Sequence, residues 1–181
     1  MRATVDIRQI TAIDKSLLES LNVVLEACVT SGASVGFMNP FDADVGRLFW
    51  TDIGKQVTRG DRLLLIAQTT GGVVGTVQVV LAQPRNQPHR GEISKLLVLP
   101  TMREHGVGQA LMLAAERYAA ALGKSLLVLD TASDAARRLY ARLGWTHCGD
   151  IPNYALLPDG APCATSIYFK QIGAAKSSGE H

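Results

Sequence analysis

The chain has 181 residues, 47% of them hydrophobic and 19% charged, with a formal net charge of +2. At this length roughly 70% of the unfolded surface can be buried, so one globular domain with a sizeable core is expected. Balanced charge without a lysine or arginine run excludes an extended nucleic-acid footprint, and no window approaches ~18 uninterrupted apolar residues, which excludes a spanning helix.

Cys28, Cys148 and Cys163 are odd in number and widely spaced. They suggest neither a disulfide framework nor a zinc site, and no metal is expected. Residues 1–20 alternate charged and apolar side chains, unlike a signal or transit peptide, so the default expectation is a reduced cytoplasmic compartment.

Residues 4–10, "TVDIRQI", alternate as a half-buried strand does. Asp14 offers an N-cap, and Leu17, Leu21, Val24, Leu25 and Cys28 then share one helical face before Ser31-Gly32. A second amphipathic helix is predicted over 41–58. "RLLLIAQTTGGVVGTVQVVLAQ" (62–83) predicts two strands around Thr-Thr-Gly-Gly, a hairpin signal. "EISKLLVL" (92–99) reads as a buried strand, 104–122 as an amphipathic helix closed by Gly123, and "SLLVLD" (125–130) as another short strand. Ser133 caps a helix through Leu143, and two final strands flank the turn "LPDGAP" (157–162). The strand–helix–strand unit at 92–130 implies a right-handed crossover between parallel strands. The expected fold is therefore α/β (α+β): a mixed, mostly antiparallel central sheet with one parallel central pair, flanked by about four helices. One domain is expected over residues 1–172, with a flexible tail at 173–181 rich in small and polar residues.

One stretch calls for chemistry. In "LLVLPTMREHGVGQAL" (96–111) a buried strand stops at Pro100, and Arg103, Gly106 and Gly108 follow at the mouth of a helix. A first helical turn leaves backbone N–H groups unpaired, and with the macrodipole these form an anion site. Glycines let a ligand approach the backbone closely. The pattern suggests a pyrophosphate cradle, with Arg103 fixing the loop or reaching a phosphate. It lacks the Gly-Lys-Ser/Thr end of a P-loop and the three-glycine dinucleotide turn. On spacing alone, a glycine-rich turn packed closely on the sheet serves as well.

The same stretch resembles the coenzyme A-binding motif of the GNAT acetyltransferases, and the element order is similar to that fold. Segments 32–38, 95–100, 129–131 and 158–170 further resemble members of the family that acetylate an amino acid toxin. The resemblance implies acetyl-CoA as cosubstrate. Leu96, Leu97 and Val98 would line the pantetheine arm, and Arg103, Glu104, His105, Gly106, Val107, Gly108 and Gln109 would hold the pyrophosphate. Glu104 stands where the family often has a basic residue or glycine, which leaves its backbone N–H rather than its side chain as a ligand. Tyr140 falls where the family places an acid near the coenzyme sulfur, and Glu92 and Asp130 where the toxin-acetylating members place acids that deprotonate the acceptor. Ser34, Phe37 and Met38, in the loop between the first two helices, would touch the acceptor.

The chemistry needs such groups. A primary ammonium, of pKa about 10.4, must lose a proton before it attacks. Developing negative charge on oxygen calls for preformed donors, and a departing thiolate leaves more readily when protonated. Each site residue also has a plain reading: Tyr140 packing its helix on the sheet, Glu92 solvated at a loop boundary, Asp130 capping a turn, Phe37 and Met38 plugging the core, Arg137 and Arg138 on a solvated face. Simple register over six-residue parallel strands sets Glu92 and Asp130 at opposite ends, roughly 20 Å apart.

The reading is an acetyl-CoA-dependent N-acetyltransferase acting on a small-molecule primary amine, such as a toxin or antibiotic, by direct transfer in a ternary complex. No cysteine is placed for an acetyl-enzyme. A non-catalytic acyl-CoA-binding regulatory module and a protein lysine or N-terminal acetyltransferase are the alternatives. No nucleic-acid or membrane partner is expected, and the protein would be a monomer or homodimer.

Overall fold

The computed structural model describes residues 5–173, so all but the first residue of the expected tail lies outside the described residues. The elements follow the predicted order: β1 (Asp6–Ile10), α1 (Lys15–Thr30), α2 (Ala43–Arg59), β2 (Arg62–Thr69), β3 (Gly72–Val80), β4 (Arg90–Val98), α3 (Val107–Ala121), β5 (Leu126–Thr131), α4 (Asp134–Arg142), β6 (Thr146–Leu156) and β7 (Pro162–Gln171). The helix starts are set by side-chain caps, which satisfy donors that have no intrahelical partner. Asp14 accepts from the Leu17 N–H at 2.8 Å, Asp42 from the Asp44 and Val45 N–H groups, and Ser133 from the Ala136 N–H. Gly60, at φ 77°, closes α2 in the left-handed conformation.

The seven strands form one sheet in the order β1-β2-β3-β4-β5-β7-β6. Among the described residues only β4 and β5 run parallel; every other neighbouring pair is antiparallel. The mixed sheet with one parallel pair and four helices is the fold class the sequence predicts.

Period-2 alternation gives each strand two apolar faces, and helices cover both. On β2, Leu63, Leu65 and Ala67 join α3 in one core cluster. Leu64 and Ile66 join α1 and α2 in the other, around the fully buried Trp50. On β4 the alternation breaks. Ile93 lies in the α3 cluster while Leu97, four residues on, lies in the α1–α2 cluster. A bulge accounts for the switch: Gln78 pairs with Ser94 and Thr76 with Leu97, so β4 carries an extra residue. Lys95 sits in the bulge at φ 51°.

Candidate active site

The parallel pair that centres the sheet is short. Arg90, Gly91 and Glu92 pair with Leu126, Leu127 and Val128, and beyond that row the strands have no further pairing. From Ile93 onward the β5-facing edge of β4 has no strand partner, while β3 holds β4 on one side and β7 holds β5 on the other. Into this wedge opens a cleft of about 1090 Å³, reaching from the 103–109 loop to the turn of the β6–β7 hairpin.

At one end of the cleft a 3-10 turn (Pro100–Met102) leads from β4 to α3. The Arg103 guanidinium folds back, donating to the Ser31 hydroxyl at 2.9 Å and to the Val98 carbonyl. It therefore ties the loop to the end of α1. His105 Nδ1 lies 2.7 Å from the Arg103 carbonyl oxygen and adds a second brace. Glu104 takes φ 63° and Gly106 φ 80°. The left-handed backbone is favourable at glycine and strained at glutamate, by about 1 kcal/mol or more. Gly106 is the N-cap of α3 and offers no side chain to it. Among the described residues, the backbone N–H groups of 104–109 find no hydrogen-bond acceptor. An anion with several oxygens fits such a row of donors at a helix start.

The two glycines have different reasons. Gly106 meets nothing where a Cβ would stand, so its backbone conformation is what requires glycine. A Cβ on Gly108 would lie 3.3 Å from Leu139 Cδ2, so that glycine lets α3 start close against α4. Conformation and packing thus both operate in a motif whose spacing could not separate them. Leu96, Leu97 and Val98 border the cleft along β4, but the Leu97 side chain is buried in the α1–α2 core and leaves only its backbone to face the cleft.

α4, against which the start of α3 packs, carries Tyr140, 4% exposed, its ring packed on Trp145 and Tyr168 with centroids 5.9 and 5.7 Å away. Trp145 is itself fixed: its indole N–H donates to Glu116 Oε1 at 2.8 Å, and Lys170 pairs with the other oxygen of that carboxylate. The Tyr140 hydroxyl makes no hydrogen bond among the described residues and borders the cleft. Burial above all, then the negative charge of Asp130 and the neighbouring Tyr168, pushes its phenol well above the usual tyrosine range. The hydroxyl is a proton donor at neutral pH.

Glu92 and Asp130 do not stand at opposite ends of their strands. β4 begins at Arg90, so Glu92 is level with Val128, and Asp130 is only two residues beyond. Their Cα atoms are then about 8 Å apart, not 20 Å. Even-numbered positions of β5 and Glu92 share the face away from α3, and both carboxylates border the cleft. Asp130 Oδ2 accepts from the Thr165 hydroxyl at 2.8 Å. Glu92, half exposed, has Arg90 at 3.6 Å.

The family model for the GNAT acetyltransferases matches residues 34–145, more than half of the chain. The chain belongs to the GNAT acetyltransferase family. An uncharacterized N-acetyltransferase of Azospirillum brasilense is 25% identical over 128 residues, which are 70% of this chain and 74% of that protein. Solved structures share the fold at lower identity. An N-acetyltransferase from Staphylococcus aureus Mu50 superimposes at TM-score 0.77, 18% identical, covering 94% of this chain and 100% of that one. An acetyltransferase structure from Salmonella typhimurium containing its cofactor acetyl-CoA gives 0.76 at 21% identity, with 96% of each chain covered. The ribosomal-protein-S18-alanine N-acetyltransferase from Escherichia coli gives 0.72 at 16% identity, over 98% and 100%.

In this GNAT enzyme the general activity is coenzyme A-dependent acetyl transfer. One flank of the cleft is built by the α1–α2 loop and the β6–β7 turn. Ser34 borders the cleft and donates to the Leu156 carbonyl at 3.0 Å, and the Asn39 N–H donates to the Pro158 carbonyl at 2.9 Å, so loop and turn are tied together. Phe37 packs instead with Phe41 and Phe49 beneath the loop, at 5.8 and 5.4 Å between centroids. Met38 is exposed at 45%, and neither it nor Phe37 lines the cleft. Sequence reasoning passed over Lys95, Thr165 and Arg142, all of which border the cleft. Of the arginine pair on α4, Arg138 borders the cleft, whereas Arg137 is bound to Asp134 and Asp150. Among the described residues no group of His, Cys, Asp and Glu is clustered to hold a metal ion, and no helix is long and apolar enough to cross a membrane.

Asp150 anchors α4 to the hairpin. One of its oxygens accepts from Ser166, from His147 at 2.9 Å and from Arg137 at 2.9 Å. These bonds, Ser166 first, then His147 and Arg137, hold its carboxyl down at about 2. A depressed carboxyl contributes stability that is complete above its unfolded value, about 3.9, and is lost as pH falls through the folded one. The melting temperature of Asp150→Asn should therefore lie below that of the native chain at pH 5 and above, with the gap narrowing toward pH 2. A gap that stays constant across that range would contradict this role.

Proposed function

We propose that this enzyme moves an acetyl group from acetyl-CoA to the primary amine of a small molecule, by direct transfer in a ternary complex. The observation that carries the reading is convergence: one cleft holds amides of 104–109 and a Tyr140 hydroxyl that have no hydrogen-bond partner among the described residues, together with the carboxylates of Glu92 and Asp130. A module that only bound the cofactor would need the amides alone.

When bound, acetyl-CoA supplies a thioester whose carbon–sulfur bond breaks as the acceptor's carbon–nitrogen bond forms. The amides of 104–109 hold its diphosphate, and Arg138 and Arg142, which also line the cleft, meet further phosphate charge. The open edge of β4 along Leu96, Leu97 and Val98 offers main-chain groups to the pantetheine arm. Glu92 and Asp130 take up the proton that the acceptor ammonium must lose. Tyr140 gives its phenolic proton to the departing sulfur and regains the second proton, which the nitrogen sheds as the amide forms, while the proton held by the carboxylates passes to solvent, so one proton is released per transfer.

Cys28 is the cysteine that borders the cleft, and burial raises its thiol above the usual range while its S–H donates to the Val98 carbonyl. A protonated, engaged thiol is a poor nucleophile, which supports direct transfer. The bonds from Ser34 and Asn39 to the β6–β7 turn close one flank of the cleft, which supports a small acceptor over an extended peptide. Resemblance of four separated segments to toxin-acetylating members of the family supports a toxin or antibiotic as that acceptor.

The test is thiol release from acetyl-CoA by the purified chain across small primary amines, against lysine-bearing and N-terminal peptides. Amine-dependent release, with the acetylated small amine found by mass spectrometry, is expected. Cofactor binding without release for any acceptor, or a peptide outcompeting every small amine, would overturn the reading.

A further inference from the structure

Lys95 has no role in the account so far, and its setting is costly. It occupies the β4 bulge at φ 51°, a conformation uncommon and strained for a lysine. The side chain is half-buried and borders the cleft, with the ammonium 5.8 Å from the centroid of the Phe49 ring. The Nζ stands 4.0 Å from where a Cβ on Gly36 would lie. The α1–α2 loop thus passes over the ammonium as bare backbone. Among the described residues, Lys95 Nζ makes no ion pair and no hydrogen bond. The Phe49 ring attracts the ammonium but accepts no hydrogen bond from it, so an anion that reaches this half-buried position gains a charged donor that no other group engages among the described residues.

The charges around it are arranged asymmetrically. Glu92, on the same strand three residues earlier, and Asp130 on β5 form the negative end of the acceptor side. Lys95 forms the positive end, with Arg62 a further positive charge that, after burial itself, lowers its ammonium from the usual lysine value, while Asp130 acts in the opposite sense. Three strand residues separate the two ends by about 10 Å at the backbone. An acceptor that carries an amine at one end and an anion at the other complements both.

Resting on the small-amine reading above, we propose that Lys95 is a specificity-determining residue that binds a carboxylate of the acceptor, so that the substrate is an amino acid or a similar amino-carboxylate. The amine lies toward Glu92 and Asp130, and the carboxylate meets the Lys95 ammonium in a charge-assisted hydrogen bond. No covalent step is assigned to the lysine.

Matched acceptors test this: 5-aminopentanoate against pentylamine, and L-lysine against 1,5-diaminopentane. For the native enzyme the carboxylate-bearing member of a pair should have the higher kcat/KM by at least ~20-fold, with the difference mainly in KM. In Lys95→Met that preference should collapse to within about threefold, and Lys95→Arg should restore part of it. Equal preference in the native enzyme, or a Lys95→Met that lowers kcat alike for both members of a pair, would overturn the proposal. A second readout needs no turnover. Calorimetry on the coenzyme A-saturated protein should detect pentanoate but not pentanamide, and Lys95→Met should abolish the pentanoate heat; absence of pentanoate heat, equal binding of the two, or pentanoate binding to both proteins, also overturns it. Failure of every amine to release thiol, with pentanoate still bound through Lys95, would count against the transfer reading and not against the anion site.

Discussion

Tyr140→Phe is expected to lower kcat by a factor of about 10² to 10⁴ while leaving the affinity for acetyl-CoA nearly unchanged. The hydroxyl is the only atom removed. The ring keeps its packing against Trp145 and Tyr168, and Trp145 keeps its bond to Glu116, so the melting temperature should move by no more than a few degrees. What disappears is a proton donor that borders the cleft and has no other hydrogen-bond partner among the described residues. Because burial pushes the phenol up, its ionisation should cause no loss of kcat below about pH 10 in the native enzyme. Steady-state kinetics against acetyl-CoA and the best amine decide the matter. A variant within twofold of the native kcat would remove Tyr140 from the chemistry and leave it a packing residue.

The second large effect concerns the loop. Gly106→Glu should weaken acetyl-CoA binding at least ~100-fold, about 2.7 kcal/mol. Two causes add. A side chain at φ 80° strains the backbone that starts α3, and a carboxylate enters a row of N–H donors suited to a diphosphate. Gly106→Ala separates them, since it introduces the strain without the charge and should cost about tenfold or less. A Cβ at this position meets nothing within 4 Å, so the fold should survive both changes. Titration calorimetry measures the affinities. Unaltered binding in Gly106→Glu would mean that the diphosphate lies elsewhere.

The elements were legible in the sequence because their signals are local. Asp14 and Ser133 act as caps where they were read as caps, and the 62–83 hairpin forms around its Thr-Thr-Gly-Gly turn. The 103–109 motif was legible for the same reason, since a strand, a turn and a helix start adjoin in the chain. What could not be read depends on pairings between distant segments. The separation of Glu92 and Asp130 hinges on Arg90 lying level with Leu126, and no local feature marks that register. The bulge at Lys95 carries neither glycine nor proline as a signal, so "EISKLLVL" reads as an unbroken strand and the lysine disappears among its neighbours. Phe37 looked like an acceptor contact by its place in the loop. Its partners Phe41 and Phe49 come from just before α2 and from within it, and only folding shows that the three rings meet.

The 103–109 amides and Tyr140 line one cleft, and a single cofactor molecule must reach both. A crystal structure of the chain with coenzyme A tests that requirement most directly. The account predicts diphosphate density within hydrogen-bond distance of the backbone nitrogens of 106–109 and the sulfur within reach of the Tyr140 hydroxyl. Density for the diphosphate away from those amides, or a sulfur on the far side of the cleft from Tyr140, would contradict it.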